Sequence, residues 1–506
     1  MENSTYLIYK TISNNKKNIF YLISSYFLFK FYQHLKNKKN KFVEILYLIP
    51  YLNKKIKKEL YANSSNLENN TNNKYNNFKH LPIKPFSNTE LLNRFEDKIV
   101  ETNRISGIIY TNSKYDDLVL KFYNKYFKSN PLHPDIYPDV RNMEIDIVNV
   151  SKNLYKGGSN SCGSLTSGGT ESILLSCVTY RDYSKEKMNI ITPNIIGFET
   201  IHPAFDKACH YFNIKLIKTK NISEMKSYIN SNTICIVGSA PDYPYGLIDP
   251  IYEMNNLAMK YNVNFHIDAC MGGFLLPFID DFKYINFNLK GLTSISMDTH
   301  KYGYAPKGSS VLLFSDIKFK KYQHFVSKEW CGGVYATPTM LGSKPGGIIA
   351  GTWASLFIRG TSNFIEISNK INNNLLYIKD RINKNKYLEI IGDPKLNIIA
   401  VKSNKINIYS LINEMGNKNW NLTTMQNPPS FHFCITDNHN KKDCEQLCKD
   451  LDECSQRIFD NGDTELKGTL ALYGASENLE TSLFIDEIIH DYIFLLSQNN
   501  ISFRHK

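Results

Sequence analysis

Short apolar runs alternating with helix-length segments constrain this chain more than any other feature of its sequence. The runs 189–192 (NIIT), 233–238 (TICIVG), 264–269 (NFHIDA), 293–297 (TSISM) and 309–314 (SSVLLF) have the length of strands. Helix-like stretches separate several of them, among them 170–183 and 251–261. Such alternation predicts an α/β fold with a mostly parallel central sheet covered by helices. Beyond about residue 370 the spacing changes, which predicts a smaller C-terminal α+β domain over 371–506. At 506 residues, with 42% hydrophobic and 21% charged residues, the chain can bury a large core.

The net charge of +12 raises the question of nucleic acid or membrane partners. Residues 1–60 carry twelve lysines against three acidic residues, so the excess belongs to an N-terminal arm and the rest is nearly balanced. No basic run is interleaved with aromatic residues in the body, so no nucleic-acid partner is expected. Within the arm, 19–29 (IFYLISSYFLF) is apolar and resumes after Lys30 with Phe31 and Tyr32. A span needs about 20 apolar residues, and a lysine that snorkels at the interface extends this run to about 19–32. No small-residue cleavage site follows, so the run reads as a membrane anchor rather than a leader peptide. More lysines follow it than precede it, which puts the body on the cytosolic side. The Asn-rich stretch within 61–80 has no apolar period and reads as a linker, leaving 81–370 as the main catalytic domain with its N-terminal extension.

Ten cysteines are scattered without a CxxC pair, so neither a disulfide framework nor a metal site is expected, and a reducing compartment fits best. Cys444 and Cys448 share a helical face with Leu447 and Leu451 and read as small core residues.

Four elements carry chemistry. Ser167-Gly168-Gly169-Thr170 opens a predicted helix, where free N–H groups and the positive dipole end make an anion site. His202 offers an imidazole able to stack on a planar ring. Asp268 ends a predicted strand, where ligands of open α/β sheets sit, and a carboxylate there can hold a pyridinium proton. Lys301 follows another strand in THKYGYAPKG; a Schiff-base lysine needs a depressed pKa, and His300 and Lys307 are candidate neighbours. An ordinary capped turn, a structural histidine and a surface lysine in a basic turn explain such elements singly, but not all four in this order.

Together these residues resemble the sphingosine-1-phosphate lyases, within the wider pyridoxal-phosphate decarboxylase-like family. The resemblance runs through RISGIIY (104–110), SNPLHPDIYPDVRNME (129–144), TSGGTESILLS (166–176) and HPAFDKACHYF (202–212). It continues in VGSAPDYPYGLIDPI (237–251), HIDACMGGFLLPF (266–278), SISMDTHKYGYAPKGSSVL (294–312) and WCGGVYATPTMLGSKPGG (330–347), then WNLTTMQNPPSFHFCIT (420–436).

The resemblance implies a fold type I, aspartate-aminotransferase-like homodimer with shared active sites at the endoplasmic reticulum membrane. It implies pyridoxal 5′-phosphate attached through Lys301, stacked by His202, paired at its ring nitrogen by Asp268, and held at its phosphate by Gly169, Thr170 and His300. Tyr110, His133 and Lys307 match positions that handle a phosphorylated sphingoid base, with Lys307 the partner expected for its phosphate. The implied reaction is retro-aldol cleavage to a long-chain aldehyde and phosphoethanolamine, with Tyr110, His133 or released Lys301 as the base. Lys344 is a departure: the lyase pattern has arginine in its Gly-Ser-Arg-Pro-Gly-Gly phosphate segment, and lysine is not its equivalent there. The alternatives are a group II amino-acid decarboxylase and a catalytically silent, membrane-tethered scaffold.

Overall fold

The computed structural model describes residues 81–94 and 102–464. The basic arm, the apolar run at 19–32, the linker at 61–80 and the chain beyond 464 lie outside the described residues. Among the described residues no helix is long and apolar enough to cross a membrane. Residues 81–94 fall in one unit; their one helix, Asn88–Leu92, is closed by a capping box between Ser87 and Glu90.

Residues 100–464 form the other compact unit, organised on a seven-stranded sheet. Its strands are β1 (Cys162–Thr166), β2 (Asn194–Phe198), β3 (Lys215–Thr219), β4 (Thr233–Ser239), β5 (Asn264–Asp268), β6 (Leu292–Met297) and β7 (Ser310–Phe314), in the order β1-β7-β6-β5-β4-β2-β3. β6, β5, β4, β2 and β3 pair in parallel, and β7 runs antiparallel to both neighbours. Every residue of β4 and β7 is buried, as the unbroken apolar runs require of strands covered on both faces.

The helices of this unit include α1 (Asp116–Tyr126) and, against the sheet, α2 (Pro138–Leu154), α3 (Gly169–Met188), α4 (Ala204–Phe212), α5 (Ile222–Tyr228) and α6 (Ile251–Tyr261). The long α7 (Gly346–Lys384) packs on α1 and α2. Three of them, α3, α4 and α6, end on asparagines in the left-handed conformation, Asn189, Asn213 and Asn262. Asparagine tolerates that conformation better than other residues with a Cβ, and each turn feeds the next strand. Ile173, Tyr180, Phe205, Ile195, Val237 and Phe314 form the core between α3, α4 and the sheet.

One expected strand is corrected. Residues 189–192 do not pair; Asn189 closes α3, and Pro193 separates that turn from β2, which begins at Asn194. The strands β1 and β3 lacked a signal because CGSLT is polar and KLIKT leaves Lys215 and Lys218 exposed at the sheet's edge.

The later chain is α+β. β10 (Glu389–Ile390), β11 (Ile398–Lys402), β12 (Thr423–Met425) and β13 (Ser430–Cys434) form an antiparallel sheet in the order β10-β11-β13-β12. They are accompanied by α8 (Ile408–Asn417) and α9 (Lys441–Asn461), while α7 runs through residue 370 without a break there. On α9, Cys444, Cys448, Leu447 and Leu451 are all buried on one face. A separate hairpin joins β8 (Phe325–Ser327) to β9 (Tyr335–Thr337).

Candidate active site

Four strand ends converge on a cavity of about 300 Å³. β1 leads into Ser167, Gly168 and Gly169; β2 is followed by His202; β5 ends at Asp268; β6 leads into Asp298, His300 and Lys301. All four are carboxyl ends, where crossover connections leave room for a ligand. A larger open cleft of about 630 Å³ lies at the amino ends of β2, β3 and β4, and asparagines dominate its polar lining.

Lys301 is paired with an acid that the sequence reading did not single out. Its Nζ lies 2.9 Å from Asp298 Oδ2, one turn earlier in the same loop. The expectation of a depressed lysine pKa is corrected here. Burial pushes the Lys301 ammonium down, but Asp298, helped by Cys270 and Tyr110, outweighs it and the pKa is raised. Burial likewise pushes the Asp298 carboxyl up, and Lys301 and His300 bring it below the usual carboxylate range. The two form an ionised pair. Asp298 Oδ1 is buried with no hydrogen-bond partner. The signal was present in Asp298-Thr299-His300-Lys301, an acid placed directly after a strand and three residues before the lysine.

The start of α3 is shaped to receive an anion. Its N-cap Gly168 has φ 154 and offers no side-chain cap, so the first N–H groups are unspent. A Cβ on Gly169 would stand 2.7 Å from Asp298 Oδ1 and 2.8 Å from Cys270 Sγ, so only glycine leaves that wall open. The side chain of Thr170 is exposed. Glu171 is buried and accepts N–H bonds from Ser167 and Met340, tying the turn to a distant loop.

Asp268 is 7% exposed, and its Oδ1 accepts from the Cys270 N–H at 3.0 Å and the Ser296 hydroxyl at 3.4 Å. Ser296 also bonds His266 Nε2, and Ser294 bonds His266 Nδ1, so a buried polar chain fixes the carboxylate. Burial lowers the His266 pKa to about 4. His202 Nδ1 accepts the Ala204 N–H at 3.1 Å, which places the ring's proton on Nε2. The His300 pKa is lowered, chiefly by burial, and its Nδ1 donates to the Ser309 carbonyl. Its Nε2 lies 3.7 Å from Asp298 Oδ2, so the imidazole edge faces the cavity.

Tyr110 and Lys307 meet beside this cavity. The Lys307 ammonium lies 4.7 Å from the Tyr110 ring centroid, and Tyr110 packs edge-on against Tyr302 at 5.1 Å. Burial, then Cys434, raises the Tyr110 pKa against the opposing charge of Lys301, so the phenol keeps its proton at neutral pH. Burial and Lys301 lower that of Lys307.

Four anticipated residues do not line the cavity: Tyr110 and Lys307, and also His133 and Lys344. His133 is exposed in the turn before α2. Lys344 is buried and its ammonium is taken by Glu144, while its N–H donates to Asn130 Oδ1 at 3.1 Å. A lysine so committed is a packing element of this chain and not a free phosphate ligand within it.

The residues fit pyridoxal 5′-phosphate: an enclosed amine, a fixed buried carboxylate, an unspent helix amino end and a wall open only because Gly169 has no Cβ. Comparison with known proteins agrees. Residues 125–404 match the pyridoxal-dependent decarboxylase conserved domain. Sphingosine-1-phosphate lyase 1 of Rattus norvegicus is 42% identical over 463 residues, covering 87% of this chain and 81% of the relative. The Saccharomyces cerevisiae sphingosine-1-phosphate lyase is 33% identical, covering 96% and 86%. The solved sphingosine-1-phosphate lyase of Burkholderia pseudomallei superposes with a TM-score of 0.74 at 30% identity, covering 81% of this chain and 98% of that one. A Lactobacillus brevis glutamate decarboxylase, at 19% identity and a TM-score of 0.67, shares the fold. The chain belongs to the pyridoxal-dependent decarboxylase family and, within it, to the sphingosine-1-phosphate lyases.

Proposed function

We propose that this chain cleaves phosphorylated sphingoid bases by a retro-aldol reaction, giving a long-chain aldehyde and phosphoethanolamine. The observation that carries the reading is the enclosed Lys301 amine, 2.9 Å from Asp298 and in one cavity with Asp268, His202 and the amino end of α3. Bound there, pyridoxal 5′-phosphate supplies an electron sink for the charge left on the amine-bearing carbon. Lys301 would attach it, and the Asp298 carboxylate would hold the Lys301 ammonium in place beforehand. Asp268 would keep its ring nitrogen protonated, His202 would cover its ring, and the N–H groups of Gly169 and Thr170, beside His300, would hold its phosphate.

The protonation states divide the remaining work. Tyr110 keeps its proton, so it serves as a hydrogen-bond donor to a substrate oxygen and not as the base. A Lys301 amine released by the incoming substrate is a strong base, because the ammonium it becomes is stabilised by Asp298. Lys301 therefore takes the proton from the substrate hydroxyl as the carbon–carbon bond breaks. Lys307 is a point charge suited to the substrate's phosphate.

The purified enzyme, incubated with sphingosine 1-phosphate and separately with aromatic and acidic amino acids, distinguishes lyase from decarboxylase. Aldehyde and phosphoethanolamine in equal amounts support the proposal. Carbon dioxide from an amino acid, without aldehyde from the lipid, overturns it.

A homodimer with shared active sites is part of this proposal. The β8–β9 hairpin exposes Phe325, Val326, Trp330 and Val334, a group of apolar side chains suited to contact with a second copy. His133, exposed on its own chain, would then serve the partner's cavity. A monomer of full activity in sedimentation would contradict the shared site. We also propose that the arm at 1–60 anchors the enzyme at the endoplasmic reticulum membrane, with the catalytic body in the cytosol. Its charge and the apolar run at 19–32 support this. Removing it should leave a soluble, active dimer; a folded but inactive dimer would contradict a purely anchoring role.

A further inference from the structure

A second cavity, of about 350 Å³, shares no lining residue with the Lys301 cavity. Ser113, Tyr115, Arg359, Asn363 and Lys370 line it, together with Ile367 and two carboxylates, Glu366 and Asp437. Arg359 is 4% exposed, yet among the described residues no carboxylate lies within ion-pair distance of its guanidinium. Its hydrogen bonds go to neutral groups: the Ser355 carbonyl at 3.2 Å, the Ser355 hydroxyl at 2.9 Å and the Ser113 hydroxyl at 3.1 Å. Tyr115 and Tyr304 stack on it at 5.2 and 4.8 Å. Lys370, the other cation of the cavity, is already paired with Asp437 at 3.0 Å. Asn363 Oδ1 is buried with no partner.

A buried charge is ordinarily paired, because removing it from water costs several kcal/mol per ion. Two aromatic faces recover part of that cost, and a hydroxyl recovers less than a carboxylate. Neither explains why an open volume is kept beside the guanidinium. The helix also bends to present it: Gly360, with φ 61 and ψ 177, interrupts α7 directly after Arg359. Burial lowers the Arg359 pKa, and the more distant carboxylates Asp116 and Asp437 offset only part of that.

We propose that this cavity binds a small oxyanion, phosphate- or carboxylate-bearing, with Arg359 as its counter-charge. The site lies against the catalytic loop, because the Tyr304 ring packs on Arg359 while the Tyr304 N–H bonds the Lys301 carbonyl at 3.1 Å. Binding there is independent of which substrate the Lys301 cavity takes.

The test uses the full-length holoenzyme, reduced with borohydride so that the cofactor phosphate stays in place, titrated calorimetrically with inorganic phosphate and separately with acetate. The expected result is saturable binding of at least one anion that Lys307→Met retains and Arg359→Met weakens at least tenfold. Whichever of the two binds more tightly identifies the group. Asn363→Asp adds a third carboxylate to the cavity and should weaken binding at least tenfold without loss of the fold, so it carries the test if Arg359→Met does not fold. Binding unchanged in Asn363→Asp, binding lost only in Lys307→Met, or no binding of either anion to the wild type would overturn the proposal.

Discussion

The Lys301 ammonium and the Asp298 carboxylate form a buried ion pair at 2.9 Å, three residues apart in one loop at the end of β6. The carboxylate raises the lysine pKa against the effect of burial. Asp298→Asn removes the charge and lets burial prevail, so the amine should become neutral at lower pH. The pH profile of cofactor capture by the apoenzyme should move to the acid side. Turnover should fall about 10²-fold as Lys301 loses strength as a base. An unchanged pH profile would assign Asp298 a purely structural role.

Gly169→Ala introduces a Cβ 2.7 Å from Asp298 Oδ1. Overpacking of this kind costs about 1–3 kcal/mol, so cofactor affinity should fall about tenfold to a hundredfold. Fluorescence titration of the apoenzyme measures it, and circular dichroism should show the fold retained.

Lys307→Met should raise KM for a phosphorylated base by about tenfold to a hundredfold, since hydrogen bonds to charged groups contribute about 1.5–3 kcal/mol. The cofactor's absorbance should be unaffected, which separates substrate binding from cofactor binding. A fall in kcat alone, with KM preserved, would place Lys307 elsewhere in the mechanism.

Lys344 is buried and pairs with Glu144, which is partly exposed. Removing one side of a fully buried pair costs about 3–5 kcal/mol, and the partial exposure of Glu144 brings the cost here below that, whereas replacing both by apolar groups is often neutral. Lys344→Met should therefore lower the denaturation midpoint, and the double variant with Glu144→Met should recover most of it. A raised KM in a Lys344→Met enzyme of full stability would restore Lys344 as a phosphate ligand.

His266 has a folded pKa of about 4 against an ordinary value of 6.5. Below pH 6.5 the unfolded chain takes up a proton that the folded chain rejects, so this residue's contribution to stability falls as pH drops from 6.5 to about 4. The slope is at most about 1.4 kcal/mol per pH unit. His266→Asn should flatten denaturant-derived stability across that window; an unchanged slope would show that His266 does not carry it.

Much of the site was legible because its residues follow strand ends in linear order. Asp268 and Lys301 follow strands that apolar periodicity marked, whereas Gly169 and His202 follow strands it missed and stood out by residue type and order alone. Asp298 was adjacent in sequence but unremarkable by composition; only the turn shows its carboxylate against Lys301. The partner of Lys344 lies 200 residues away, beyond the reach of any spacing rule. The run at 189–192 misled because apolar content alone does not distinguish a strand from the turn before it, which Asn189 and Pro193 define.

The central claim is that Lys301 carries the cofactor. The holoenzyme should show a visible absorbance band that borohydride bleaches, and peptide mass mapping should then find the reduced cofactor's mass on Lys301. Lys301→Ala should lack both the band and the modified peptide. Persistence of the bleachable band in Lys301→Ala, or the mass increment on another lysine of the wild type, would contradict the account.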